Sequence, residues 1–271
     1  QQRIYNYDEL LPNIGGVYEF GNASIFANYA KGLSVPGTDV LYDSIYFPAT
    51  AATARPNPET TDTFDAGVRY NSGQIQAQLA GYFTRYENRL ATSYDPVLDE
   101  TITRNLGRVD KYGVDGSIAW SPNRNVLLYV FGSINESEIK DNVQDGTVGG
   151  VPVFLPTAGK NESGAPLWSV GGRAQYNFGP VELGLQAKHT GKRFVNDTNT
   201  AEVGGYTTVD LDVRWVIAEN PWGDEVALQF NLTNLLDEVY VGGFGGDLSN
   251  PNPFVQIGAP RAASISLVFG Y

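Results

Sequence analysis

The sequence predicts an all-β chain: a transmembrane antiparallel up-and-down β-barrel, of which about eleven strands are present. Three observations lead there. Apolar and polar residues alternate with period two in window after window, and no window of comparable length carries a helical period. The joints between these windows alternate strictly between tight and long. Aromatic residues gather beside the tight joints.

In chain order, the first two strands centre near residues 15 and 27 and are joined by "GN" after Phe20. A long joint, roughly 32–58, leads to strands near 65 and 80, joined by "NSG" after Tyr70. A joint at 94–101 precedes strands near 113 and 129, joined by "SPNR" after Trp120. The joint 135–165 precedes strands near 173 and 186, joined by "FGP" after Asn177. In the second of these, Val181, Leu183, Leu185 and Ala187 oppose Glu182, Gly184, Gln186 and Lys188.

The joint 195–204 leads to "TTVDLDVRWVIA", where Val209, Leu211, Val213, Trp215 and Ile217 oppose Thr208, Asp210, Asp212 and Arg214. After "ENPWG" comes "EVALQFNLTN", with Val226, Leu228, Phe230 and Leu232 on one face. The joint 240–257 precedes the last strand, near 265. Short turns at one end and long loops at the other are the habit of outer-membrane barrels. Tyr18, Phe20, Tyr70, Trp120, Tyr176, Phe178, Trp222, Phe269 and Tyr271 flank the tight joints, as an interfacial aromatic belt requires.

Composition narrows the function. The chain has 271 residues and no run of eighteen apolar ones, which excludes a transmembrane helix but not a barrel. A net charge of −12 argues against nucleic acid. Cysteine is absent and His189 is the single histidine, so thiolate sites are excluded and no metal site or cofactor is expected. A barrel hydrolase would need a Ser–His pair on one face, and Ser169 reads onto the face opposite His189, so no catalytic residue is assigned. "DNVQDG" lacks calcium-loop spacing. Lumen-facing Asp210, Asp212, Arg214, Arg173, Glu182 and Lys188 are expected to pair with each other or with a plug.

Eleven is odd, whereas single-chain bacterial barrels have even strand numbers, and hydrocarbon does not tolerate an open sheet edge. With no methionine even at position 1, the chain reads as the carboxyl-terminal part of a larger barrel, residue 1 not being the natural start.

Several stretches resemble the TonB-dependent outer-membrane receptor family. They are "LLPNIGGVYEF" with "ASIFANYAKGLSVP", "NPETTDTFDAGVRY", "NLTNLLDEVY" and "GAPRAASISLVFGY", in that order over residues 10–271. The resemblance implies the last eleven strands of a 22-stranded plugged barrel in the bacterial outer membrane. It implies TonB-dependent uptake of a scarce nutrient, foremost a ferric siderophore. The partners it implies are outer-membrane lipid, a plug domain with the remaining strands, TonB acting through the plug, an iron chelate and the barrel-assembly machinery.

Phe269 and Tyr271 would carry the assembly signal; the family more often ends in Phe. On the long loops, Tyr42, Tyr46, Phe47, Tyr94, Arg104, Arg193, Phe194, Phe244 and Phe254 are the candidate ligand contacts, since aromatics and cations suit an anionic chelate. A passive porin remains the alternative, as does uptake of cobalamin, haem or carbohydrate.

Overall fold

The computed structural model describes residues 7–35, 57–95, 100–148, 151–219, 225–246 and 248–270. Eleven strands form one antiparallel sheet in chain order. They are β1 (Asn13–Phe20), β2 (Ala23–Ser34), β3 (Glu59–Asn71), β4 (Ile75–Glu87), β7 (Val109–Asn123) and β8 (Val126–Ile139). β11 (Trp168–Phe178), β12 (Val181–Thr190), β15 (Tyr206–Glu219), β16 (Glu225–Thr233) and β19 (Ala262–Phe269) complete it. All eleven strands expected from the alternation are present, in the expected order.

The other described strands pair off as four two-stranded ribbons, all within the long joints. These are β5 (Leu90–Asp95) with β6 (Glu100–Asn105), and β9 (Val143–Val148) with β10 (Val151–Leu155). β13 (Arg193–Phe194) pairs with β14 (Glu202–Val203), and β17 (Val241–Phe244) with β18 (Val255–Ile257).

Several boundaries differ from the sequence expectation, the last joint among them, which runs from Asn234 to Arg261 rather than 240–257. The 94–101 joint begins earlier: Asn88 takes a left-handed φ of 55°, which ends β4, and Leu90–Asp95 leaves the sheet for its own ribbon. The expected joint at 135–165 begins only after Ile139, so Glu136 and Glu138 stay on β8. The "SPNR" turn falls at Arg124–Asn125, after a bulge between Trp120 and Asn123.

Register shows what each face is for. On one face Val181, Leu183 and Leu185 stand opposite Trp215, Val213 and Leu211, and Leu228 and Phe230 stand opposite Leu267 and Ile265. This apolar face is bare: Phe64, Leu79, Val130 and Trp215 are each about half exposed or more. The predicted rim at the tight turns lies on it, with Tyr18 against Phe20 and Tyr176 against Phe178 at 6.1 and 5.9 Å. Trp222 and Tyr271 lie outside the described residues.

The opposite face is polar and hydrogen-bonded. Arg173 donates to Asp212 at 2.6 and 2.9 Å and reaches Glu182 at 4.0 Å, Arg214 pairs with Glu225, and Asp210 accepts the Asn234 N–H at 2.8 Å. A water-soluble sheet would bury the apolar face and wet the polar one. Among the described residues no second layer covers the apolar face, which is the chemistry of a wall in hydrocarbon.

Strand length agrees. Hydrocarbon is crossed by about 9–11 tilted residues. β3, β4, β7 and β8 have 13, 13, 15 and 14, so their ends stand beyond it.

Candidate functional site

The long joints are folded onto one another. Buried apolar residues are few among those described, and five of them form a single cluster at the long-joint end: Leu106, Val109, Ile139, Val143 and Leu248. Val109 and Ile139 are directly opposite in the β7–β8 ladder, and Leu106 and Val143 lie on the joints beside them. Leu248 comes from the last joint, between β17 and β18, four ladder steps away at β16. At about 4.8 Å per step, that joint bridges roughly 19 Å to reach the socket.

The turn 195–200, "VNDTNT", ties the joints together. Asn196 is fully buried; its Nδ2 donates to the Ser249 carbonyl at 3.1 Å and its Oδ1 accepts the Thr200 N–H at 3.0 Å. Asp197 accepts the Ser163 N–H at 2.8 Å. Asn199, left-handed at φ 55°, exchanges two 2.8 Å bonds with the Asn161 backbone. Each amide and carboxylate is satisfied by a joint more than thirty residues away, which is why so polar a turn can be buried.

Arg193 holds the last joint from below. Its guanidinium donates to the carbonyls of Val241 and Gly242 and lies 5.0 Å from the Phe244 ring and 5.8 Å from that of Tyr206. It is 7% exposed. Tyr206 in turn stacks on Tyr240 at 4.1 Å. At the base of this joint, Asn234, from the "NLTNLLDEVY" segment, takes a left-handed φ of 50°. Its side chain joins the backbone of Glu238 and Ala259 at 2.9–3.1 Å. That residue ends the strand and closes the joint.

A charged tie fixes the joint before β11. Arg89 donates to Glu59 at 3.2 Å and to Glu162 at 2.9 Å, and the Lys111 ammonium lies 2.8 Å from Glu162. Burial opposes ionisation of Glu162, but hydrogen bonding from Arg89 and the charge of Lys111 outweigh it and hold the carboxyl below the usual carboxylate range. A carboxyl so depressed stabilises the folded joint at neutral pH. The contribution is lost as pH falls through the depressed value. Protease nicking between residues 156 and 167 should therefore rise in the wild type as pH falls below the usual carboxylate range, and Glu162→Gln should already be nicked faster at neutral pH and show a smaller rise.

The candidate contacts fall in different places. Arg193 and Phe244 are brought together, each facing the other. Phe194 lies 5.4 Å from the Lys192 ammonium, which also bridges Glu202 at 2.7 Å. Phe254 is 80% exposed. Tyr94 and Arg104 are on the β5–β6 ribbon, opposite Thr101 and Ala91. Tyr42, Tyr46 and Phe47 lie outside the described residues. His189 stacks on Trp168 at 4.7 Å and shares a 2.8 Å hydrogen bond with Thr207. Ser169 pairs with Thr190, on the other face.

A cavity of about 300 Å³ lies beneath these joints, with Lys111, Asn135 and Glu162 set among apolar Tyr82, Pro166 and Leu167. That is the lower limit of small-molecule sites, about 300–1,000 Å³. Sequence reasoning missed Leu248, the turn 195–200 and the Glu59–Arg89–Glu162 tie. The single signal was the unusual density of Asn, Asp and Thr in "NDTNT".

Known proteins place this architecture. The pattern of the family described as TonB dependent receptor-like, beta-barrel, matches residues 1–235. The Ferrioxamine receptor of Yersinia enterocolitica is 25% identical over 228 residues, 82% of this chain and 30% of that protein. The siderophore receptor PiuA from Acinetobacter baumannii superposes with a TM-score of 0.73 at 20% identity, over 96% of this chain and 35% of that one. BauA, the ferric preacinetobactin receptor of the same organism, gives 0.69 at 18%, over 96% and 36%. The chain thus spans about a third of the length of these relatives. The apolar face is the lipid-facing wall, the polar face lines the lumen, and the chain belongs to the TonB-dependent receptor-like β-barrel family of the bacterial outer membrane.

Proposed function

We propose that this chain is the carboxyl-terminal eleven strands of a TonB-dependent receptor that takes up a ferric siderophore. It supplies barrel wall and extracellular loops, while a plug and the remaining strands come from elsewhere in the full receptor. The observation that carries the reading is the family match, joined to the likeness to the Ferrioxamine receptor across most of this chain. Two open sheet edges, β1 and β19, support the shared barrel. Long joints tied to one another at one end of the sheet favour a gated receptor over a passive porin.

Ligand contact falls to aromatics of the loops, Phe254, which is exposed, and Phe194 foremost, with Tyr42, Tyr46, Phe47, Tyr94 and Arg104 as further candidates. Arg193 and Phe244 act by positioning the last joint. TonB acts through the plug. The assembly machinery reads Phe269, the last residue of β19, and Tyr271.

A receptor-deletion strain should fail to grow on ferrioxamine-type chelates as sole iron source and regain growth on complementation. It should still use cobalamin, haem and carbohydrate. Loss of growth on one of those three instead would reassign the substrate.

A further inference from the structure

The cations at the long-joint end are already committed. Arg89 donates to Glu59 at 3.2 Å and to Glu162 at 2.9 Å, and the Lys111 ammonium lies 2.8 Å from Glu162. Arg108 and Lys140 share Asp110 at 3.0 and 3.6 Å. Lys192 bridges Glu202 at 2.7 Å, and Arg261 reaches Asp237 at 3.6 Å. Arg193 pairs with no carboxylate among the described residues, but it is buried and its N–H groups are turned to the carbonyls of Val241 and Gly242. Among the described side chains of the joints, Lys160 is the one cation with no acceptor in hydrogen-bond or ion-pair reach.

The pairing is most explicit at Phe194. It stands directly opposite Glu202 in the β13–β14 ribbon, and the Lys192 ammonium lies 5.4 Å from its ring. An aromatic ring with a cation beside it is what an anionic chelate needs, and here Glu202 cancels that cation. The Lys192 and Glu202 side chains are 47% and 51% exposed, so the neutralised pair stands where a ligand reaches it. The chain as a whole carries a net charge of −12. Fields of one sign over a surface draw in ligands of the other sign and repel their own. The loop cations that suit an anionic chelate in sequence are therefore masked in the fold.

We infer that the receptor selects its chelate by charge, an inference that rests on the uptake of a ferric siderophore. It takes a neutral or cationic chelate, as ferric trihydroxamates are, and turns away polyanionic ones such as ferric tricatecholates, with Glu202 as a specificity-determining residue. Three hydroxamates, each singly negative, cancel the charge of ferric iron, and a pendant ammonium makes the whole chelate cationic. Three catecholates, each doubly negative, leave a triply negative chelate. To bind, such an anion has to draw Lys192 from Glu202, or Arg89 and Lys111 from Glu162. The second exchange leaves a largely covered carboxylate unpaired. A trihydroxamate needs neither, since its carbonyl oxygens accept hydrogen bonds from neutral donors and its methylenes lie on rings such as Phe254.

The purified full-length receptor is titrated, with tryptophan fluorescence as the readout, against ferric trihydroxamates that share one set of iron-binding groups. One ends in a free ammonium, the second is its N-acetyl derivative and the third its N-succinyl derivative, so they are cationic, neutral and anionic. At low salt the anionic form should bind about tenfold more weakly than the neutral one, and the gap should shrink at high salt, where exposed charges are screened. Glu202→Gln unmasks Lys192 and should narrow the gap about fivefold, whereas Glu202→Asp keeps it. Equal binding of the anionic and neutral forms, or a gap that Glu202→Gln does not move, would overturn the inference. A ferric tricatecholate bound more tightly than the neutral trihydroxamate would also overturn it, while leaving siderophore uptake standing. A receptor that binds none of the four chelates fails the siderophore reading itself, and the charge inference falls with it.

Discussion

Leu248→Asp should release the last extracellular joint while leaving the wall intact. Leu248 is 3% exposed, in a socket of Leu106, Val109, Ile139 and Val143. Removing a buried leucine side chain costs about 2–5 kcal/mol, and a carboxylate in its place adds desolvation with no cation in the apolar cluster to meet it. The joint has a cheaper escape than global unfolding, because it hangs from β16 and β19 by its own ribbon. A local loss of about 3 kcal/mol raises opening by roughly two orders of magnitude. Amide exchange over Val241–Ile257 should accelerate by that factor, with β7 and β8 unchanged, whereas Leu248→Met stays close to wild type. Unchanged protection in the aspartate variant would mean that the socket does not hold the joint.

Gly113→Val should damage the wall itself. Gly113 on β7 is the partner of Tyr82 in one ladder and of Asn135 in the other. A Cβ there would sit inside the contact radius of the Ile134 carbonyl and 2.6 Å from the Tyr82 hydroxyl, which donates to Asn135 at 2.6 Å. Neither backbone nor ring can yield without breaking the β7–β8 ladder. The expected cost is about 3 kcal/mol, which lowers the urea midpoint of the assembled receptor by about 1 M or more. Gly16→Val is the control: its Cβ would enter open space, and its midpoint should not move. Equal midpoints for the two variants would contradict the close approach.

How much of this was legible depends on the range of the interaction. The eleven wall strands are written in period-two alternation, a local signal, and each appeared where the alternation put it. Even the face assignment of Ile265, Leu267 and Phe269 follows from parity alone. The loops are another matter. Arg193 beside Phe194 resembles a ligand-facing pair in sequence, yet its guanidinium is committed to carbonyls 48 and 49 residues away. "NDTNT" reads as a solvated turn, and its burial depends on backbone groups at Asn161, Ser163 and Ser249. Leu248, in a Gly- and Asn-rich stretch, has no periodic neighbours to mark it as core. Asn88 redirects a chain whose apolar pattern continues past it, so the β5–β6 ribbon escaped the alternation. Cross-loop partners leave no trace in local pattern, and it is there that the candidate site is built.

The central claim is active uptake of a ferric siderophore, and accumulation of labelled iron from a ferrioxamine-type chelate tests it most directly. Cells producing the full receptor should accumulate the label saturably, and accumulation should fall to background when either the receptor or TonB is removed. Uptake that persists without TonB, or that does not change when the receptor is deleted, would contradict it.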